Sequence, residues 1–368
     1  MVAHGEQSTA APFRGGWRWA TGLTVFMKLR VGLIGLGPAW TSRYLPALRS
    51  LVDRFEVRAV CEQVAHRAQQ AAKEFQAQPV EGFRALAARD DVDAVLMLSS
   101  QWYGALPILA ACDFSKSVYC AATLDLDPAQ ARRIKDRVDG AGVAFMSEFA
   151  RRHAPATLRL KELIATRLGA PRLLFCHQRI ASGAADKAND RTWGNHCPLA
   201  SPTDDLMQLV DWCRYVVGHE PKSVFGTRHQ REPQAGQEDY EMMNLDFSEP
   251  DRPGSGPMAQ ISCGRYMPAA WPEAVSFRPP AALQVACEQG IAFIDLPSTL
   301  IWFDGAGRHM ESLDSERPVG EQLLMQFHRA VTSLVRSTAS IEDTYRSLSV
   351  VLAARESFAQ GKRMPIEY

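Results

Sequence analysis

The chain has 368 residues, enough for two domains that each bury a core of their own. Lysine plus arginine and aspartate plus glutamate number 41 each, a balance that gives no electrostatic case for nucleic acid or for an anionic membrane surface. No run approaches the roughly 18 apolar residues of a membrane-spanning helix. The eight cysteines form no Cys-x-x-Cys pair, so they read as reduced core residues of a cytoplasmic protein rather than as a disulfide frame or a zinc site.

Residues 1–26 are rich in small and polar residues and carry no evident packed element. Met27-Lys28 reads as the natural start. The extension before it reads as a mis-assigned start or a disordered tail, with a short export signal as the weaker alternative. The apolar run Val31–Ile34 then predicts a buried strand that enters Gly35-Leu36-Gly37 and a helix over about Thr41–Val52. Strand, glycine turn and helix together build a phosphate site: the first glycine allows the turn and the second lets backbone approach a pyrophosphate. The helix N-terminus then offers unpaired N–H groups, so Gly35, Leu36, Gly37, Pro38 and Ala39 are the candidate cofactor contacts. The third glycine of Gly-x-Gly-x-x-Gly is replaced by Trp40, which must point elsewhere or widen the turn.

A second strand, Phe55–Glu62, ends in an acid 25 residues after Gly37. Glu62 reads either as a solvated strand-end acid or as the carboxylate that binds the adenosine ribose. The glycines favour the second, and with it NAD over NADP, a preference that Arg67 softens. Helices at Ala65–Gln76, Gly82–Arg89, Gly104–Cys112 and Pro128–Gly140 alternate with strands at Asp93–Ser99, Ser117–Cys120 and Val143–Ser147. That alternation predicts a doubly wound parallel sheet, a Rossmann domain over 27–149. Strand-like runs from Arg172 onward follow one another through short turns: Arg172–Ile180, Ser223–Arg228, Tyr240–Phe247, Met258–Cys263, Ala281–Glu288, Ile291–Asp295 and Thr299–Phe303. With closing helices at Val319–Ser337 and Ile341–Gln360, they predict an α+β domain over 150–368 built on an open, mostly antiparallel sheet. Its last helices are free to pack back on the Rossmann domain.

Four stretches carry a family resemblance: Phe149-Ala-Arg-Arg-His-Ala-Pro-Ala156, Arg167-Leu-Gly-Ala-Pro-Arg172, Asp211-Trp-Cys-Arg-Tyr-Val-Val-Gly218 followed by Glu220-Pro221, and the tail from Ile341-Glu-Asp-Thr to Ser357-Phe-Ala-Gln-Gly361. In order and spacing they resemble the glucose–fructose oxidoreductase, inositol dehydrogenase and MocA family, over Met27 to Tyr368. The resemblance implies NAD or NADP as cofactor and a sugar, cyclitol or related polyol as small-molecule substrate. It also implies a homodimer or homotetramer formed through the second-domain sheet, to which exposed apolar residues on strands such as Leu283–Ala286 would contribute. Ser99, Ser100 and Cys120 are further candidate cofactor contacts, and Trp193 resembles a tryptophan that some members place near the cofactor, with core packing as the equal alternative.

The chemical positions depart from the family pattern. Glu-Lys-Pro after the fifth strand becomes Ala121-Ala122-Thr123, which removes the proton-handling lysine. A cis bond before Thr123 would cost about 3 kcal/mol, so trans is expected. Asp-x-x-x-His-x-x-Asp becomes Asp204-x-x-x-Gln208-x-x-Asp211, and glutamine cannot take a proton near neutral pH. Thr-Pro-Asn-x-x-His becomes Ser99-Ser-Gln-Trp-Tyr-Gly104. Asp204 and Gln208, four apart on one helical face, are the candidate substrate contacts. Asp204 reads as substrate contact or, equally, as a helix cap or solvated acid. His196 and Lys187, in an Ala184–Cys197 loop over the cleft, are further candidates, although a lone histidine in a polar loop is more often solvated. His177 reads as a satisfied strand histidine, His153 as packing and Lys116 as surface. No recognised metal-ligand spacing is present. Three readings follow: an oxidoreductase with rearranged acid–base groups, an NAD-binding sensor or partner subunit without turnover, and an NAD-assisted lyase, epimerase or glycosidase. The first is preferred.

Overall fold

The computed structural model describes residues 28–121, 126–182, 202–230, 239–249, 251–252, 254–268, 271, 273–274, 277–313, 317–333 and 340–368. The extension at 1–26 and Ala122, Thr123, Lys187, Trp193, His196 and Cys197 lie outside them.

Six parallel strands form the first sheet: β1 (Leu29–Ile34), β2 (Phe55–Cys61), β3 (Gln78–Pro79), β4 (Ala94–Met97), β5 (Ser117–Cys120) and β6 (Phe145–Ser147), in the order β3-β2-β1-β4-β5-β6. The continuous apolar runs predict this arrangement, because a parallel sheet flanked by helices buries both faces of its strands. All four residues of β4 are buried. The connecting helices are α1 (Leu45–Ser50), α2 (Ala65–Phe75), α3 (Phe83–Ala87), α4 (Leu106–Asp113) and α5 (Pro128–Ala141). The strand order reverses between β1 and β4, at whose C-terminal ends a doubly wound sheet opens its ligand crevice.

A 3₁₀ turn (Ala150–His153) and α6 (Pro155–Leu163) lead into the second sheet. Its strands are β7 (Pro171–Ser182), β8 (Ser223–Gln230), β9 (Asp239–Asp246), β10 (Met258–Pro268), β11 (Leu283–Cys287), β12 (Ile291–Asp295), β13 (Thr299–Asp304), β14 (Gly307–Ser312) and β15 (Met364–Pro365). They run in the order β14-β13-β12-β11-β7-β10-β9-β8-β15, antiparallel except for the central β7–β10 pair. One parallel pair among antiparallel ones fits the expected mostly antiparallel sheet, whereas the strands β3, β14 and β15 are additions to the expectation. β3 and β15 are two residues each, too short to show a period, and β14 is polar and exposed at the sheet's edge.

Three helices cover one face of this sheet: α6, α7 (Pro202–Val217) and the last helix, Ile341–Gln360. The helix before that one, α8 (Val319–Thr332), packs Val319, Leu323, Leu324 and Phe327 into the Rossmann core, and the last helix, α9, also touches α5. Leu283 and Val285 face the helix layer and are fully buried, contrary to the expectation that β11 exposes its apolar residues. The exposed apolar side chains sit elsewhere, at Leu173, Phe225, Met258, Phe303 and Met310. Arg152, in the 3₁₀ turn, places its guanidinium between Asp211 of α7 (Nε–Oδ2 2.6 Å) and Asp343 of α9 (2.8 Å), which fixes α7 against the end of the first domain.

Candidate functional site

The turn after β1 holds Gly35 at φ +62° and Gly37 at φ +66°. A Cβ on Gly35 would sit 2.9 Å from Ser99 O, and one on Gly37 would sit 2.8 Å from Leu98 O. Both glycines are therefore demanded by backbone conformation and by close contact with the end of β4. Trp40 does both things its bulk requires. The chain leaves the turn as a π-turn, Trp40–Tyr44, before α1 begins, and the indole is buried edge-on against Phe75 of α2 at 6.1 Å. A helix of uniform α geometry from Thr41 is thereby corrected to a widened first turn.

Glu62 is buried at the end of β2. Its Oε2 accepts the Leu36 N–H at 2.8 Å and its Oε1 the Val64 N–H at 3.3 Å. It is therefore not a solvated acid, and each oxygen keeps lone-pair capacity for a further donor. Leu36 has its N–H occupied by this bond and its side chain in the core, Gly35 gives its N–H to Cys61 O at 2.9 Å, and Leu36 also lines the cavity at the turn. Arg67 donates to Gly37 O at 2.9 Å. A cavity of about 370 Å³ opens against the turn, lined by Gly37, Pro38, Thr41, Arg49, Arg67 and Gln101 among others. The glycine turn, the buried strand-end acid and this cavity fit a dinucleotide.

Ser99 and Ser100 stand half-buried opposite the glycines, and Ser99 Oγ accepts from Gln101 N at 3.2 Å. Cys120 ends β5 with its side chain in the core and its carbonyl accepting Glu148 N–H at 2.9 Å, so a direct side-chain contact with a ligand is not available to it.

Asp204 and Asp205 occupy the first turn of α7, where the helix dipole favours negative charge. Asp205 is held by Arg265 at 2.6 Å and Gln178 at 3.1 Å, and Gln178 in turn by Arg151 at 2.6 Å. Burial nonetheless pushes the Asp205 carboxyl up to about 6, against the pull of Arg265. Asp204 is buried, and its Oδ1 has no hydrogen-bond partner among the described residues. Burial first, then the charges of Asp205 and Glu148, hold its carboxyl well above the usual carboxylate range, while a hydrogen bond from Gln208 acts in the opposite sense. Gln208 donates its Nε2 to Glu148 O at 2.8 Å, so much of its capacity goes to joining α7 to the end of β6.

His177 Nδ1 lies 2.7 Å from Ser262 Oγ on the neighbouring strand, as a satisfied strand histidine should. His153 is buried, and burial lowers it to about 4. Lys116 is not a surface lysine but half-buried, donating to Arg89 O at 3.0 Å and Val92 O at 2.7 Å at the far end of β5. The seven described cysteines are buried free thiols, and no metal-binding group of three or more ligands occurs among the described residues. No described helix is long and apolar enough to cross a membrane. Glu148 and its partners Arg43, Tyr44 and Tyr119 escape sequence reading. The one available signal is a charged residue directly behind an apolar strand.

Residues 29–149 match the GFO_IDH_MocA family, the oxidoreductase family with an NAD-binding Rossmann fold. The chain is similar to dTDP-3,4-didehydro-2,6-dideoxy-alpha-D-glucose 3-reductase of Actinomadura kijaniata, 32% identical over 37% of this chain and 41% of that protein. It is also similar to inositol 2-dehydrogenase of Salmonella typhimurium, 30% identical over 42% and 46%. The chain thus spans less than half the length of these curated relatives. Its fold matches an oxidoreductase of Agrobacterium radiobacter solved in complex with NAD+, L-tartaric acid and magnesium, with a TM-score of 0.74, 16% identity, and 92% and 98% of the two chains covered. The first domain thus carries an NAD-binding Rossmann fold, and the two-domain architecture is that of the solved oxidoreductase. The family match lies in residues 29–149, and beyond them the likeness is one of fold.

Proposed function

We propose that the protein is an NAD-dependent oxidoreductase acting on a sugar, cyclitol or related polyol, with Asp204 in place of the missing lysine and histidine as the proton-handling group. The observation that carries this reading is Asp204 itself: a buried carboxyl whose Oδ1 lacks a partner, at the mouth of α7. Burial and two neighbouring acids hold its proton affinity well above that of an ordinary carboxyl, the direction in which enzymes tune a carboxylate base. A bound nicotinamide dinucleotide supplies the hydride acceptor. Gly35, Gly37, Pro38 and Ala39 cradle the phosphates, and Glu62 accepts the ribose hydroxyls and disfavours a 2′-phosphate, with Arg67 beside it. Asp204 accepts the hydroxyl proton at Oδ1 as the adjacent carbon loses its hydride, and the products are a carbonyl and a protonated Asp204. Ser99 and Ser100 border the nicotinamide end.

The relatives named above motivate the substrate class, and the buried thiols suit a cytoplasmic protein. The exposed apolar side chains of the second sheet suit a homodimer or homotetramer. A second reading, a dinucleotide-binding protein without turnover, is favoured by Gln208, which is joined to backbone at the family's histidine position. Hydride transfer decides between them. NADH formation is expected from NAD with inositols or aldoses, and Asp204→Asn should lower turnover by roughly 10²–10⁴-fold, the usual worth of a general base. NAD binding with no NADH formed from any polyol would favour the second reading.

A further inference from the structure

Behind the glycine turn lies a buried polar cluster that proton transfer does not itself use. Glu148 follows β6, and its side chain is fully enclosed. Its carboxylate accepts from the Arg43 guanidinium and the Tyr44 hydroxyl, and from Tyr119 Oη at 2.6 Å. Arg43 and Tyr44 close the π-turn that leaves the glycines, and Tyr119 is the last residue but one of β5. One carboxylate therefore gathers the dinucleotide turn, β5 and β6. Burial works against the Arg43 cation, but Glu148 outweighs it and keeps the guanidinium charged; the phenols of Tyr44 and Tyr119, first through burial and then through Glu148, are held protonated as donors.

An apolar cluster of the same volume would hold these elements at least as well, since desolvating an ion pair commonly consumes its attraction. The polar version therefore calls for a positional explanation, and the main chain of the same residue supplies one. Glu148 O accepts Gln208 Nε2 at 2.8 Å, and Gln208 hydrogen-bonds Asp204.

We propose that Glu148 is a positioning residue: its carboxylate fixes the turn that receives the dinucleotide, and its carbonyl, through Gln208, fixes the candidate base Asp204 in register with that turn. This rests on the proposed role of Asp204. The charged groups that face Asp204 are Asp205 on its own helix, Glu148 from the end of β6 and Arg265 from β10.

Glu148→Gln removes the charge that opposes ionisation of Asp204. The acid limb of the kcat/KM profile should then move down by about one pH unit, and dinucleotide binding should weaken about tenfold, a change of 1.4 kcal/mol. Because that variant leaves Arg43 buried without its carboxylate, the control is the pair Glu148→Leu with Arg43→Met, which removes both charges at similar volume. It should melt at or above the parent temperature while affinity and acid limb stay displaced. Recovery of both together with stability would reduce Glu148 to a structural role and overturn the proposal. Titration of the Asp204 carboxyl by carbon-13 NMR, in full-length protein without substrate, separates the two claims. A midpoint that moves in Glu148→Gln supports the positioning role even where no turnover exists, and an unmoved midpoint defeats it even where turnover does.

Discussion

The burial that would equip Asp204 as the proposed base also makes it a stability liability. Its carboxyl in the folded protein sits well above the ordinary range, chiefly through desolvation. The native state therefore holds this proton more tightly than the unfolded chain does. The contribution is fully present below the unfolded value near 4 and is lost as pH rises toward the folded one. Asp204→Asn, a neutral isostere, should accordingly be more stable than the parent protein at pH 8, by on the order of 1–3 kcal/mol for relief of the proton-linkage cost of the buried carboxyl, and no more stable at pH 4. Thermal melts at the two pH values check this. Equal gains at both would mean that the side chain is not protonated in the way its surroundings require. The trade is the familiar one in which an active group is held against the stability of its fold.

At the scale of elements, the glycine turn and α7 carry the site, and they were legible to different degrees. The turn was readable because φ-positive glycines between a buried strand and a helix leave few alternatives. Its substitution at Trp40 was also interpretable, since bulk at that position leaves only a wider turn or a redirected indole, and both occur. Gly37→Ala should destabilise the protein by roughly 1–3 kcal/mol, the usual cost of a strained backbone position. It would set a left-handed residue against Leu98 O at 2.8 Å. Chemical denaturation checks this, and a change below about 0.5 kcal/mol would show that the turn relaxes easily. Asp204 and Gln208 were placed on one helical face by their spacing, as α7 bears out. That Gln208 bonds to the carbonyl of Glu148, sixty residues earlier, could not be read from local pattern. Nor could the parallel pairing of β7 with β10, because strand neighbours distant in sequence are chosen by tertiary packing and not by periodicity.

At the scale of the molecule, buried ion pairs tie the end of the first domain to helices of the second. Arg152 bonds to Asp211 and Asp343, and Arg214 bonds to Glu220 at 2.6 Å, so the start of the second domain, α7 and α9 are held in one frame. Glu148 links the glycine turn, through Arg43 and Tyr44, to α7, through Gln208. Everything functional in this arrangement presupposes that the turn receives a dinucleotide. The most direct test is calorimetric titration of the full-length protein with NAD, with the 2′-phosphorylated dinucleotide as control. NAD should bind in the micromolar range and the 2′-phosphorylated form more weakly, with the difference reduced in Glu62→Ala. Absence of binding by either dinucleotide would contradict the account at its root, leaving the Rossmann domain a scaffold and Asp204 a buried acid without a reaction.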